Sequence, residues 1–128
     1  MRALLDTNSF LWFISGSDRL SIDAKNVIAD QQNQLVLSTA SLWEIAIKVS
    51  LKKLDLRQPY GQLIPQQLEE NDIAVLPIEL NHLHKVIDLP FHHRDPFDRL
   101  IVAQALAEGL PVISSDAVFS RYAVRIIW

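Results

Sequence analysis

Four acidic residues in this chain stand where apolar runs stop or helical patterns begin: Asp6, Glu44, Asp98 and Asp116. Asp6 ends the run Ala3-Leu4-Leu5, and Asp116 follows Val112-Ile113-Ser114-Ser115. Glu44 lies early in the helical pattern after Leu35-Val36-Leu37, and Asp98 follows Asp95-Pro96-Phe97 at the head of another. Such acids act together only if the fold gathers them. Two carboxylates about 4 Å apart repel by roughly 4 kcal/mol at an effective dielectric near 20. A group of four therefore needs a cation, raised pKa values or arginine partners. With oxygen ligands and no cysteine, the cation indicated is Mg²⁺, with Mn²⁺ as a substitute. A divalent ion held by carboxylates polarises phosphate and activates water, which is the equipment for phosphoryl chemistry.

Each acid also has an ordinary structural role open to it. Asp6 and Asp116 suit helix N-caps, and Glu44 suits an i,i+4 pair with Lys48. Asp95-Pro96-Phe97-Asp98 reads as an N-cap, a proline at the first helical position and an acid in the first turn. Asp98 differs from the rest. Ile101, Val102 and Ala105 follow it at helical spacing, so its carboxylate is turned toward the buried stripe, where a charge needs a partner.

The elements that must position these acids are legible from periodicity. Strands are expected at residues 3–5, 35–37, 73–78, 112–113 and 124–127. Helices are expected over residues 10–14, from Ile22 to Gln31 with Ser21 as cap, and from Ala40 or Ser41 to Leu51. Three more follow: Pro59 to Glu70 or Asn71 despite Gly61 and Pro65, Leu80 to Ile87, and Phe97 to Glu108 ended by Gly109. Residues 89–94 read as a loop. Strands separated by helices predict a parallel sheet covered on both faces, a three-layer α/β/α sandwich with five strands, formed by residues 1–128 as one domain. Ligands of such sheets bind outside the carboxyl rim of the strands. All four acids map to that rim, whereas Asp23, Asp30, Glu69, Glu70 and Glu108 do not.

Composition narrows the function classes. The chain has 128 residues, 49% hydrophobic and 21% charged, a balance that builds one globular domain. Its longest uncharged stretch, Gln31 to Trp43, has 13 largely polar residues, and a membrane span needs about 20 apolar ones. Asp6 arrives too early for a signal-peptide core. The absence of cysteine excludes disulfides and thiolate zinc sites, so a reducing cytoplasm is expected. Net charge is −3, whereas binding nucleic acid by bulk charge alone takes a basic protein. A phosphate substrate would thus need a bound cation or a local basic patch. Candidates for the patch are Arg94 and Arg99 with His92 and His93, or Lys48 and Lys52 with Lys53 and Arg57. No zinc site is expected from the histidines, since His82 and His84 face apart at i,i+2. Trp12, Phe13 and Trp43 read as core or dimer contacts.

The ordered set of motifs resembles a known family. Leu4-Leu5-Asp6-Thr7-Asn8 is similar to the opening of the PIN domain, a family of small metal-dependent ribonucleases. Ser41-Leu42-Trp43-Glu44-Ile45 resembles its second acidic motif, residues His93 to Ala105 with Asp98 its third, and Ile113-Ser114-Ser115-Asp116 its fourth. Within the family the chain looks most like the VapC-type toxins of bacterial type II toxin–antitoxin systems. The resemblance implies that Asp6, Glu44, Asp98 and Asp116 are catalytic, metal-binding acids. It implies supporting roles for Thr7 and Ser114, with Asn8 and Asp95 as further supporting candidates. The third motif carries two acids, and only Asp98 aligns with the family's helix pattern. Also implied are hydrolysis of RNA phosphodiester bonds, homodimerisation and inhibition by a cognate antitoxin. Two other readings compete. A non-catalytic PIN-like scaffold would lack one or more of the acids. A receiver-like Mg²⁺-binding signalling domain would need an acidic pair after the first strand and a lysine after the fifth, and neither is present here.

Overall fold

The structure is a computed structural model that describes residues 1–128. Its elements are β1 (Arg2–Leu5), α1 (Thr7–Ser15), α2 (Ile22–Ala29), β2 (Gln34–Ser38), α3 (Thr39–Ser50), α4 (Tyr60–Glu70), β3 (Ile73–Leu76), α5 (Leu80–Asp88), α6 (Pro96–Glu108), β4 (Val112–Ile113), a 3₁₀ turn (Ala117–Arg121) and β5 (Ile126–Ile127). The five strands form one sheet in the order β3-β2-β1-β4-β5, with every pairing parallel. β1 is central, its Leu5 in register with Leu37 on one side and Ile113 on the other. Its Ala3, Leu4 and Leu5 have no exposed surface, as a strand covered on both faces requires. The order differs from the 2-1-3-4-5 winding of receiver domains, and that reading is set aside.

Alternation along β1 divides the core in two. Ala3 and Leu5 pack with Phe10 and Ile14 of α1, Ala24 of α2, Ile45 of α3, and Leu63 and Ile64 of α4. Leu4 packs on the opposite face with Ile101, Val102 and Ala105 of α6, and with Phe119 and Tyr122. The covering helices change face between β3 and β4, where the chain returns across the sheet to continue on the far side of β1. Right-handed crossovers require that change when the winding direction reverses. By the rule for open α/β sheets, the ligand crevice falls at the carboxyl ends of β1 and β4, between which the reversal lies.

Most differences from the sequence reading lie at element ends, and two have a clear local cause. α1 starts at Thr7 rather than Phe10, because Asp6 accepts a hydrogen bond from Ser9 N and caps the helix directly at the strand end. β3 stops at Leu76 rather than Ile78, since Pro77 has no N–H for the ladder. β5 shrinks to two residues. The 3₁₀ turn was not anticipated, being too short to leave a periodic signal.

A buried polar chain ties together the helices that flank the crevice. Ser38 caps α3 by accepting from Ala40 N and donates to Gln104 Oε1 on α6. Gln104 Nε2 donates to Pro77 O, and its side chain meets His82, which is fully buried on α5 and contacts Glu108. Ser38→Ala removes a cap and strands a buried amide oxygen. The expected loss is about 2–4 kcal/mol in chemical denaturation, and an unchanged unfolding midpoint would refute this link between α3 and α6.

Candidate metal centre

The strand ends and helix starts deliver the four acids in two pairs. Asp6 follows β1, and Asp116 lies three residues past β4. Ser114 joins them: its Oγ donates to Asp6 Oδ2 at 2.5 Å and accepts from Asp116 N at 3.0 Å. Asp6 Oδ1 caps α1 at 2.8 Å from Ser9 N, so both oxygens of this carboxylate are engaged. Asp6 is only 6% exposed. Burial raises its pKa above the ordinary carboxylate value, bonds from Ser114 and Ser9 oppose that rise, and the nearby charge of Asp116 adds to it.

Glu44 and Asp98 form the second pair. Glu44 falls in the second turn of α3, because the Ser38 cap starts that helix at Thr39, one or two residues earlier than the sequence suggests. Its Oε1 accepts from Thr7 Oγ1 at 2.8 Å and its Oε2 meets Lys48 Nζ at 2.9 Å. Thr7 Oγ1 also lies 2.9 Å from Ser41 Oγ. A carboxylate only accepts, so Thr7 gives its proton to Glu44 and Ser41 supplies that of the second bond. Asp98 sits in the first turn of α6 behind its cap, Asp95, whose Oδ1 accepts from Phe97 N and Asp98 N. Asp98 Oδ2 lies 2.8 Å from His93 Nε2. Its pKa is pushed up to about 6, chiefly by burial, then by the charge of Asp95; His93 pulls it down and Glu44 raises it further.

The two pairs meet through Asp98 and Asp116. Ligand atoms of these two residues and of His93 lie within 4.8 Å of one another. Asp116 is exposed, and its Oδ1 caps the 3₁₀ turn at 3.0 Å from Val118 N. Asp98 and Asp116 thus each keep one oxygen without a hydrogen-bond partner, whereas Asp6 and Glu44 keep none. Carboxylates that come within a few ångströms of each other, each with an oxygen to spare and one with a pKa already displaced by desolvation, fit a hard divalent cation.

Several residues do not take the places expected of them. Arg99 is buried, donating to the carbonyls of Pro90, Val86 and Leu89 and lying 4.1 Å from the centre of the Phe91 ring. It anchors the α5–α6 loop and offers nothing to a ligand. Asn8 is exposed and lines a groove with Leu11, Trp12 and Leu54 that contains none of the acids. The inward residue of that turn is Ser9, whose Oγ donates to Ile113 O. Arg57 is committed to Ile14 O at 2.7 Å, and Lys48 is paired with Glu44. Lys52 and Arg94 remain exposed. Trp43 is 59% exposed rather than core, its ring set edge-on against Phe97 at 5.2 Å. Trp12 is half-buried against Trp128. His93 was read only as part of a positive approach; its sequence neighbour Asp95 masked the contact with Asp98, which depends on how the loop folds back.

The fold agrees with comparisons to known proteins. The family model for the PIN domain matches residues 3–125, and the chain belongs to the PIN domain family. Ribonuclease VapC16 of Mycobacterium tuberculosis is 34% identical over 70 residues, which span 52% of this chain and 48% of that protein. The match thus takes in about half the length of that relative. Among solved structures, VapBC2 from Rickettsia felis, bound to a promoter DNA fragment, has a TM-score of 0.74 at 16% identity, covering 98% of this chain and 97% of that one. VapBC-1 from nontypeable Haemophilus influenzae gives 0.67 at 22% identity, covering 98% and 96%. These similarities show the same five-stranded α/β fold.

The raised pKa of Asp98 predicts how the metal-free protein responds to pH. Its folded value of about 6 lies above the ordinary aspartate value of 3.8, so the folded state holds a proton that the unfolded chain releases. The stability this contributes is complete below pH 4 and is lost as pH rises through 6. In EDTA, Asp98→Asn should therefore match the unsubstituted protein near pH 4 and exceed it by roughly 2 kcal/mol near pH 7. Thermal melts across that range measure the difference; parallel curves would show that Asp98 is not desolvated as described.

Proposed function

We propose that this chain is a metal-dependent endoribonuclease that hydrolyses RNA phosphodiester bonds, acting as the toxin of a type II toxin–antitoxin pair. The observation that carries the reading is the convergence of Asp98 and Asp116, each with an unbonded oxygen, beside Asp6 and Glu44, in a PIN domain with all four acids present. A scaffold that had abandoned catalysis would have no reason to keep all four acids at one rim, with Asp6 and Asp98 partly desolvated there. The VapC16 relative is named a ribonuclease, and the structural neighbours are toxin–antitoxin complexes, which supports both the activity and an antitoxin partner. We place the protein in the cytoplasm as a homodimer. No helix is long and apolar enough to cross a membrane.

Asp98 and Asp116 would hold Mg²⁺, or Mn²⁺ in its place, through the oxygens their caps and donors leave free. Bound there, the ion supplies positive charge and Lewis acidity toward a phosphate oxygen. Asp6, fixed through both oxygens by Ser9 and Ser114, sets the negative field on one side of that position. Glu44, held by Thr7 and Lys48, does so on the other. Lys48 also keeps a positive charge beside the acids, and Lys52 and Arg94 are the exposed cations available to RNA phosphates in a chain of net charge −3.

Incubation of pure protein with RNA tests this reading. Cleavage should require Mg²⁺ or Mn²⁺ and stop in EDTA. Asp98→Asn should abolish it, while Asp95→Asn, which still caps α6, should leave the protein folded and largely active. Undiminished cleavage after thorough chelation would sink the metal mechanism, and the reverse order of the two variants would sink the assignment of Asp98.

A further inference from the structure

His93 stands closest to the proposed centre without belonging to the acids, and its hydrogen bonds define what it does there. Its Nδ1 accepts from the backbone N–H of Arg94 at 3.0 Å. A ring nitrogen that accepts carries no proton, so the ring proton resides on Nε2. Nε2 is the atom that lies 2.8 Å from Asp98 Oδ2, and the bond is therefore a donation from imidazole to carboxylate. The same assignment answers whether His93 would itself bind a cation. Its nitrogen is near enough to Asp98 and Asp116, but its lone pair faces Arg94 and its proton faces Asp98.

The loop that carries His93 is fastened on both sides. Arg99 holds the carbonyls of Val86, Leu89 and Pro90 and stacks on Phe91. His92 sets its ring edge-on against Tyr122 at 5.0 Å, just past the 3₁₀ turn that Asp116 caps. Asp95 closes the loop as the cap of α6. A donor on an anchored loop fixes the rotation of the carboxylate it binds. It also occupies one oxygen and so presents the other.

We infer that His93 is a positioning residue for cation capture, donating Nε2–H to Asp98 Oδ2 so that Asp98 Oδ1 is presented with Asp116 to a divalent ion. The inference rests on the metal-site reading above and assigns a role outside the four acids. Groups that orient metal ligands typically change metal affinity by 10–100-fold when removed.

Mn²⁺ binding, followed by electron paramagnetic resonance without any RNA, tests it. His93→Phe removes the donor and keeps a ring in the loop, whereas His93→Gln restores an N–H near the position of Nε2. The expected result is Mn²⁺ affinity about 10–100-fold weaker for His93→Phe and within about threefold of the original for His93→Gln. All three should be folded at the assay temperature, with metal-free His93→Phe melting somewhat lower for want of the donor to Asp98, and no ¹⁴N coupling should reach the bound Mn²⁺. Unchanged affinity in His93→Phe, with binding abolished in Asp98→Asn, overturns the inference and leaves the site reading intact. A ¹⁴N coupling lost in His93→Phe overturns it differently, making His93 a direct ligand. Full Mn²⁺ binding by Asp98→Asn would overturn the site reading itself.

Discussion

Like charges held close in a partly dry crevice are the constraint around which this molecule is arranged. Burial and neighbouring charge both push against ionisation, and they raise the pKa of Asp6 and Asp98 together. The fold opposes that push with hydrogen-bond donors on short tethers. Ser114, Ser9, Thr7, Lys48 and His93 each contact one of the acids, and each contact satisfies an oxygen that would otherwise stand desolvated. Where the donors stop, two oxygens are left, one on Asp98 and one on Asp116. The repulsion they retain is what a cation would relieve.

Capping and chemistry share the same carboxylates. Asp6 and Asp116 start helical segments directly at the carboxyl ends of adjacent strands, so an ordinary local device delivers an acid to the sheet rim. Their structural roles and their proposed functional ones are not alternatives, since a carboxylate has two oxygens and a cap uses one. Asp95 takes the capping role on α6 alone. Asp98 is thereby spared it and free to face His93 and Asp116. That division of labour explains why two acids three positions apart in the sequence do different things.

Positive charge is placed as deliberately as negative. The sequence offers two candidate basic patches, one with Arg94 and Arg99 and one with Lys48, Lys52, Lys53 and Arg57, and the fold withdraws three of these residues from a ligand. Arg99 and Arg57 bind backbone carbonyls at helix ends and in the loop after α5, and Lys48 neutralises Glu44. Guanidinium groups are suited to this because one planar fork reaches several acceptors at once. The consequence is an acidic crevice with few free cations around it. Affinity for a polyanion would then lean on a bound ion more than on the surface.

Much of this was present in the linear chain. Apolar runs of three residues marked β1 and β2, glycine and proline marked the ends of α6, and the spacing of Ile101, Val102 and Ala105 turned Asp98 inward. Those features are local, set by backbone periodicity and capping chemistry, and one sequence suffices to read them. The common rim of the four acids also followed, because parallel strands must all end on one side. Decided only in three dimensions were the contacts between segments far apart along the chain: Ser114 with Asp6, Thr7 with Glu44, and the burial of Arg99. Even the nearby pair of His93 and Asp98 belongs with these, since it depends on how Arg99 and Tyr122 hold the loop. Side-chain rotamers and hydrogen-bond partners are chosen by what packs around them, and that environment exists only after the sheet has closed.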